Sequence, residues 1–246
     1  MGKPEWKLEI LMKGSWRGAS SVLLTDGRHH IVVDTGMPHE GQQLIQALET
    51  HGLHPEDIQF LINTHFHVDH VMNNFLFPNS VIYGVQQSYD WCRAVYSDLL
   101  DGQNWEKLVL KYYPETHDYE RSKDLMSTLR KFALRWWDPQ RLGDLSRFRW
   151  IETQPLPDGL ESFVTSGHVP GHASIIVHNS GPNIVIAGDA LLTREQHEQV
   201  LTMIPCNREQ FLKDRQSILA LNGLIVPGHD QEFSTQETQE ADPADA

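Results

Sequence analysis

The sequence predicts an α/β fold in two strand-bearing halves separated by a helical insertion. Three observations predict it. Short β-branched runs flank an amphipathic segment up to residue 85, and strand-like runs return after residue 151. The stretch between them is aromatic and helical in period.

In the first half, residues 20–25 and 29–33 are two short strands joined at Asp26-Gly27, a hairpin signal. Residues 42–50 place Leu44, Ile45 and Leu48 at helical spacing, and Gly52 closes the helix. Residues 57–63 form a buried type of strand, residues 70–75 begin a short helix, and residues 80–84 form another strand. In the second half, residues 163–166, 174–178 and 183–187 are apolar runs bounded by Gly and Pro. Residues 208–221 form an amphipathic helix that ends at Gly223, and residues 224–226 form a last strand running into Pro227-Gly228-His229.

The insertion, residues 86–150, holds five of the seven Trp and five of the six Tyr. Within it Leu125, Met126, Leu129, Phe132, Ala133 and Trp136 share one helical face. Such a stripe packs on the core, and it can also serve as a lid over a site or as a homodimer surface. Residues 1–85 and 151–230 are then the core. Residues 231–246 carry five acidic side chains and no Lys or Arg, which reads as a disordered end.

Composition narrows the function classes. The chain has 246 residues and a net charge of −13, so a uniformly basic nucleic-acid footprint is absent. The charge is uneven: residues 86–150 hold 11 basic and 10 acidic side chains, and the rest holds 9 and 23. No run approaches the roughly 18–20 apolar residues that span a bilayer, and residues 1–10 are too polar for a secretory signal. Two cysteines, Cys92 and Cys206, exclude a disulfide framework and make a reducing cytoplasm the expected compartment.

Chemistry is concentrated after the third predicted strand, in Thr64-His65-Phe66-His67-Val68-Asp69-His70. His65 and His67 alternate by two in an extended segment, so their rings face one side. Asp69 and His70 follow at the turn into the helix. Neutral imidazoles and a carboxylate are ligands that Zn²⁺ accepts. Three further strand ends each offer a ligand-type residue beside glycine: Pro170-Gly171-His172, Gly188-Asp189 and Gly228-His229. Seven candidate ligands suit two metals that share one carboxylate.

This set resembles the metallo-β-lactamase superfamily over the whole chain except residues 86–150 and the acidic tail. The resemblance implies a four-layer αβ/βα sandwich of two mixed β-sheets flanked by helices. It implies that His65, His67 and His172 hold a first metal, that Asp69, His70 and His229 hold a second, and that Asp189 bridges. Asp34, in Val33-Asp34-Thr35-Gly36, matches the family's early Asp that supports the ligand loop, with Thr64 beside it. His168, close to His172, is expected to be structural or supporting. The remaining histidines (His29, His30, His39, His51, His54, His117, His178 and His197) are expected to have no ligand role.

The resemblance implies two divalent metals, Zn²⁺ foremost, with Fe or Mn as alternatives. It also implies hydrolysis of a small-molecule ester, lactone or thioester by a metal-bridging hydroxide, with Asp69 as the carboxylate that orients it and passes on a proton. The β-lactamases of the family lack the bridging Asp. Lactonases of the family carry all seven ligands but place a Tyr three residues beyond the bridging Asp, where this chain has Leu192. Residues 64–78 with Pro227-Gly228-His229 also resemble small members grouped with a histone-mRNA-processing nuclease. A phosphodiesterase is therefore the second reading, with Arg130, Lys131, Arg135, Arg141, Arg147 and Arg149 as a phosphate surface. A metal-containing binding module without turnover is the third.

Overall fold

The computed structural model describes residues 4–15, 18–101, 105–114, 119–194 and 205–235. Strands β1 (Lys7–Met12), β2 (Ser21–Thr25), β3 (His30–Val33), β4 (Phe60–Ile62), β5 (Val81–Gly84) and β6 (Phe148–Trp150) form one sheet in sequential order. The first three are antiparallel neighbours, and β3 to β6 run parallel. Strands β7 (Leu160–Val164), β8 (Ala173–Val177), β9 (Asn183–Gly188), β10 (Gly223–Pro227) and β11 (Phe233–Ser234) form the second sheet, in which only β9 and β10 are parallel.

Period-two alternation divides the core into layers. Val22, Leu24, Ile31, Val33 and Ile62 face Ile175, Val177, Ile184, Ile186 and Val226 between the sheets. Their neighbours Leu23, Val32 and Leu61 point outward and are covered by Leu44 and Leu48 of helix α1 (Gly41–Thr50). Val185, Ala187 and Ile225 point outward from the second sheet and meet Ile218 of the helix Arg208–Leu219. Each fully buried Ile or Val stabilises the fold by roughly 1.5–3 kcal/mol. The result is the expected sandwich of two mixed sheets flanked by helices.

The ligand-rich loop after β4 turns into a one-turn helix, α2 (Val68–Val71), which starts two residues before the expected one. Three helices follow β5: α3 (Gln86–Asp101), α4 (Trp105–Tyr112) and α5 (Tyr119–Trp136). The helix Arg208–Leu219 is therefore α6. The insertion boundary needs correction. Residues 148–150 belong to the core sheet as β6, so the helices form the crossover between two parallel strands. On α5, Phe132, Ala133 and Trp136 pack on the core as the stripe predicted; the side chains of Leu125, Met126 and Leu129 lie outside the described residues. The tail also starts later than expected, because Phe233 and Ser234 pair with β10; residues 236–246 lie outside the description. Among the described residues no helix is long and apolar enough to cross a membrane.

Candidate metal centre

The centre sits where the two sheets present their strand ends to each other. Asp34 follows β3, the ligand loop follows β4, Asp189 follows β9 and His229 follows β10. These are the carboxyl ends of parallel strands, where side chains in open α/β sheets converge on ligands. A hydrogen bond from Ala173 N to Thr64 O ties the start of β8 to the ligand loop of the opposite sheet. The loops after β9 and β10 are joined by Gly228 N to Leu191 O and His229 N to Leu192 O.

Within the loop, His65 and His67 turn to one side with ring centroids 4.6 Å apart. Phe66 turns to the other and packs against Tyr89 and Phe148. Two groups of potential ligand atoms result. His65 Nε2, His67 Nδ1, His168 Nε2 and Asp189 Oδ2 form the first, at 3.0 Å (His65–His67), 3.1 Å (His67–His168), 3.2 Å (His168–Asp189) and 3.9 Å (His65–Asp189). Asp69, His70 and His229 form the second; His229 Nε2 is 3.4 Å from Asp69 Oδ2, and His70 Nε2 is 3.9 Å from it. Asp189 Oδ1 lies 3.3 Å from both His70 Nε2 and His229 Nε2. The two oxygens of Asp189 thus face different groups.

This donor set fits metal ions. Four ligands at 2.0–2.1 Å in a tetrahedron stand about 3.3 Å from one another, close to the observed separations. Both Asp189 oxygens, His70 Nε2 and His229 Nε2 are buried with one another, His168 and Asp69 as polar neighbours, at ion-pair distances of 3.2–3.4 Å. Buried polar atoms with no better partners signal a missing ligand.

The supporting contacts aim the rings. Asp34 accepts the Thr64 N–H (2.9 Å), the Thr64 O–H (2.7 Å) and His70 Nδ1 (2.8 Å). His65 Nδ1 lies 3.2 Å from the Thr64 hydroxyl, and His229 Nδ1 is 2.8 Å from the Ser15 carbonyl. In each case Nδ1 is engaged and Nε2 is left for the centre. Asp34 and Thr64, expected from the sequence to support the ligand loop, stand at the centre of these contacts.

His172 requires a correction. Its ring is fully buried beside that of His65, but neither nitrogen is offered to a ligand group: Nε2 accepts the backbone N–H of Asp189 (3.0 Å) and Nδ1 bonds the Thr165 hydroxyl (2.7 Å). His168, expected to be supporting, takes its place. The physical reason is backbone geometry. His172 directly precedes β8, and its carbonyl accepts Thr165 N just beyond the end of the β7–β8 ladder. The turn Ser166–His168 stands clear of that ladder and is pinned from behind. Asp214 of α6 accepts the Gly167 N–H, while Asn207 N and Cys206 N donate to Gly167 O and His168 O. A Cβ on Gly167 would come within 2.1 Å of Phe211 N, so only glycine lets the turn approach α6. That Gly167-His168 pair was the available signal. Among the other histidines, His29 and His178 pair with Asp26 and Glu161 on the surface, and His117 and His197 lie outside the described residues.

Protonation differs between the groups when no metal is bound. Burial, reinforced by neighbouring histidines, holds His65 well below its usual value; burial also lowers His67 and holds His168 well below, against the pull of nearby carboxylates. Burial opposes protonation of His70 and His229 too, but Asp189 and its acidic neighbours overcome it, raising His70 well above normal and His229 to about 9. The imidazoles of the first group are therefore uncharged at neutral pH, whereas the second group must shed protons to bind metal. Metal affinity of the second group is expected to rise with pH up to about 9. Folded-state pKa values raised above the unfolded one stabilise the metal-free chain fully below about 6.5, and this stabilisation is lost as pH rises through about 9. Calorimetric Zn²⁺ titration in two buffers of different ionisation enthalpy should show proton release with the second metal only. Release with neither would contradict this assignment.

Helix α3 forms the wall beside His67. Trp91, half-buried, has its ring centroid 6.2 Å from that of His67 and meets Tyr112 and Tyr113 edge-on at 5.8 and 5.7 Å. The Ser88 hydroxyl accepts the Phe66 N–H, and the Tyr96 hydroxyl accepts the Val68 N–H. The helical segment thus braces the ligand loop directly.

Comparison with known proteins agrees with this architecture. The family model described as the metallo-beta-lactamase superfamily matches residues 14–229. A Mus musculus protein named metallo-beta-lactamase domain-containing protein 1 is 29% identical over 223 residues, covering 88% of this chain; the chain spans 65% of that relative's length. An N-acyl homoserine lactonase from Bacillus sp is 24% identical over 231 residues, covering 82% of this chain and 77% of the lactonase. A solved N-acyl homoserine lactone hydrolase, with N-hexanoyl-L-homoserine bound at its catalytic metal centre, superposes with a TM-score of 0.59 at 17% identity, covering 100% of this chain and 98% of that one. With the family model matched from residue 14 to His229 and the ligand groups gathered between two mixed sheets, the chain belongs to the metallo-beta-lactamase superfamily.

Proposed function

We propose that the chain is a dinuclear metallohydrolase that cleaves a small-molecule ester, lactone or thioester carrying an apolar group. The observation that carries this reading is the placement of Asp189, whose two buried oxygens face two separate groups of imidazoles. Two divalent cations, Zn²⁺ by the chemistry of the donors, would polarise the scissile carbonyl and bring water toward ionisation at neutral pH. His65, His67, His168 and Asp189 would hold one, and Asp69, His70, His229 and Asp189 the other. Asp69 is the ligand-group carboxylate open to solvent, with its side chain 18% exposed against 0% for Asp189. It can therefore accept a proton inside the centre and release it outward.

The apolar wall at Trp91, Tyr112 and Tyr113 favours an acyl or aryl group beside His67. The lactonase relatives support a carbonyl substrate. The Tyr of the lactonases has no counterpart at Leu192, which is buried. The phosphodiesterase reading is disfavoured by how its candidate arginines are used. Arg130, Arg141, Arg147 and Arg149 each donate to backbone carbonyls, and Arg135 lies over the Trp136 ring.

The test is a hydrolysis panel of acyl homoserine lactones of increasing chain length, thioesters and bis-p-nitrophenyl phosphate, run with Zn²⁺, Fe²⁺ and Mn²⁺. Carbonyl substrates should be preferred, with KM falling as the chain lengthens. Trp91→Ala should raise KM for the longest substrate roughly tenfold, with kcat changed little, as loss of uniform binding does. Preference for the phosphodiester would overturn the substrate class.

A further inference from the structure

His172 contributes no atom to either ligand group, yet its ring is fully buried at the heart of the site, 5.0 Å from that of His65. We propose that His172 is a positioning residue that fixes the bridging Asp189 through a closed circuit of buried hydrogen bonds. The inference rests on the dinuclear reading of the centre and goes beyond it.

The direction of each bond follows from the donors. The Asp189 backbone N–H can only donate, so His172 Nε2, 3.0 Å away, carries no proton. A neutral imidazole then bears its hydrogen on Nδ1, which donates to Thr165 Oγ1 at 2.7 Å. The Thr165 hydroxyl passes its own hydrogen to Ser174 Oγ at 3.0 Å, and Ser174 donates to the carbonyl of Ala187 at 2.8 Å. The circuit starts at the backbone of residue 189 and returns to residue 187, and Thr165, His172, Ser174 and Asp189 are all fully buried.

It therefore grips the chain on both sides of Gly188, just where β9 ends and the bridging carboxylate projects. Gly188 has φ +53°, and a Cβ there would fall 2.8 Å from His172 Nε2 and 3.0 Å from Thr64. The ring, the Asp34-bound Thr64 and the bridging residue are thus packed against one another with no room for a side chain between. Asp189 must serve two ligand groups at once, so a small backbone rotation would take one oxygen out of register. His172 prevents that rotation without touching a metal.

The test is titration of the metal-free full chain with Zn²⁺ against a chromophoric chelator, for wild type, His172→Leu, His172→Gln, Thr165→Val and His168→Ala. Wild type is expected to take up two metals. His172→Leu and Thr165→Val should weaken uptake about 10–100-fold, the range for loss of an outer support. His172→Gln keeps an oxygen to accept the Asp189 N–H and an N–H to reach Thr165, so it should remain within about threefold of wild type. Its Co²⁺ absorption spectrum should also be unchanged, because the ligand set is unchanged. Thr165→Val carries the expectation by itself if His172→Leu does not fold. Two metals in wild type with Thr165→Val and every folded His172 variant within about threefold would overturn the positioning role alone. So would a His172→Gln chain as impaired as His168→Ala, since that is how a ligand behaves. Fewer than one metal in wild type would end the reading of the centre, and this role with it.

Discussion

Asp189→Ala is expected to abolish measurable turnover while the chain stays folded. The carboxylate is fully buried and no backbone N–H depends on its oxygens, so its removal leaves the main-chain hydrogen bonds intact. What it removes is the anion shared by His168 on one side and His70 and His229 on the other. Loss of an outer support alone weakens metal binding about 10–100-fold, and loss of a shared ligand should exceed that for both ions. Metal content by mass spectrometry should fall below two per chain, and kcat/KM by well over the same factor. The proton bookkeeping should change as well. Without Asp189, His70 and His229 lose a principal source of their raised pKa values, although Asp34 and Asp69 remain, so the metal-free variant should lose less stability as pH climbs toward 9 than wild type does. Full activity in the variant would remove Asp189 from the centre.

Asp34→Ala should have the largest effect on stability. The Asp34 carboxylate accepts three hydrogen bonds inside the protein, from Thr64 N–H, Thr64 O–H and His70 Nδ1. Truncation leaves these donors unsatisfied, at about 1–3 kcal/mol for the buried amide alone. The backbone adds to this: Asp34 has φ +55°, a left-handed conformation that Asp tolerates better than Ala. A total near 3 kcal/mol corresponds to a Tm lowered by about 6–12 °C for a chain of this size. Asp34→Asn keeps the tolerance for positive φ and one acceptor oxygen. It should lose less stability, yet still weaken the second metal because His70 Nδ1 no longer meets a carboxylate. Thermal unfolding and Zn²⁺ titration of the two variants separate the contributions. Equal Tm losses would contradict the split.

The ligand loop could be read from the sequence because its chemistry is dense and local. His65 and His67 share a side because an extended chain repeats every two residues, and Asp69 and His70 follow within one helical turn. The interdigitating core could be read for the same reason. Long-range pairing could not. Strand β1 mixes Lys7 and Glu9 with Leu8 and Ile10 on a sheet edge, so its signature is diluted by solvated charges. Strand β6 is only three residues, attached to the end of a long helical segment, and is identified by its partner β5 rather than by its own composition. The choice between His168 and His172 failed on the same ground. Both follow glycine, and both lie next to a strand. The pinning of the Gly167–His168 turn by Cys206, Asn207 and Asp214, about forty positions away, decides which imidazole faces Asp189.

The most direct measurement is anomalous diffraction from crystals grown with Zn²⁺. Two peaks should appear on either side of the Asp189 carboxylate. One should lie about 2.0–2.1 Å from His65 Nε2, His67 Nδ1 and His168 Nε2, and the other at the same distance from His70 Nε2 and His229 Nε2, with Asp69 alongside. A peak coordinated by His172, or one remote from Asp189, would contradict the account.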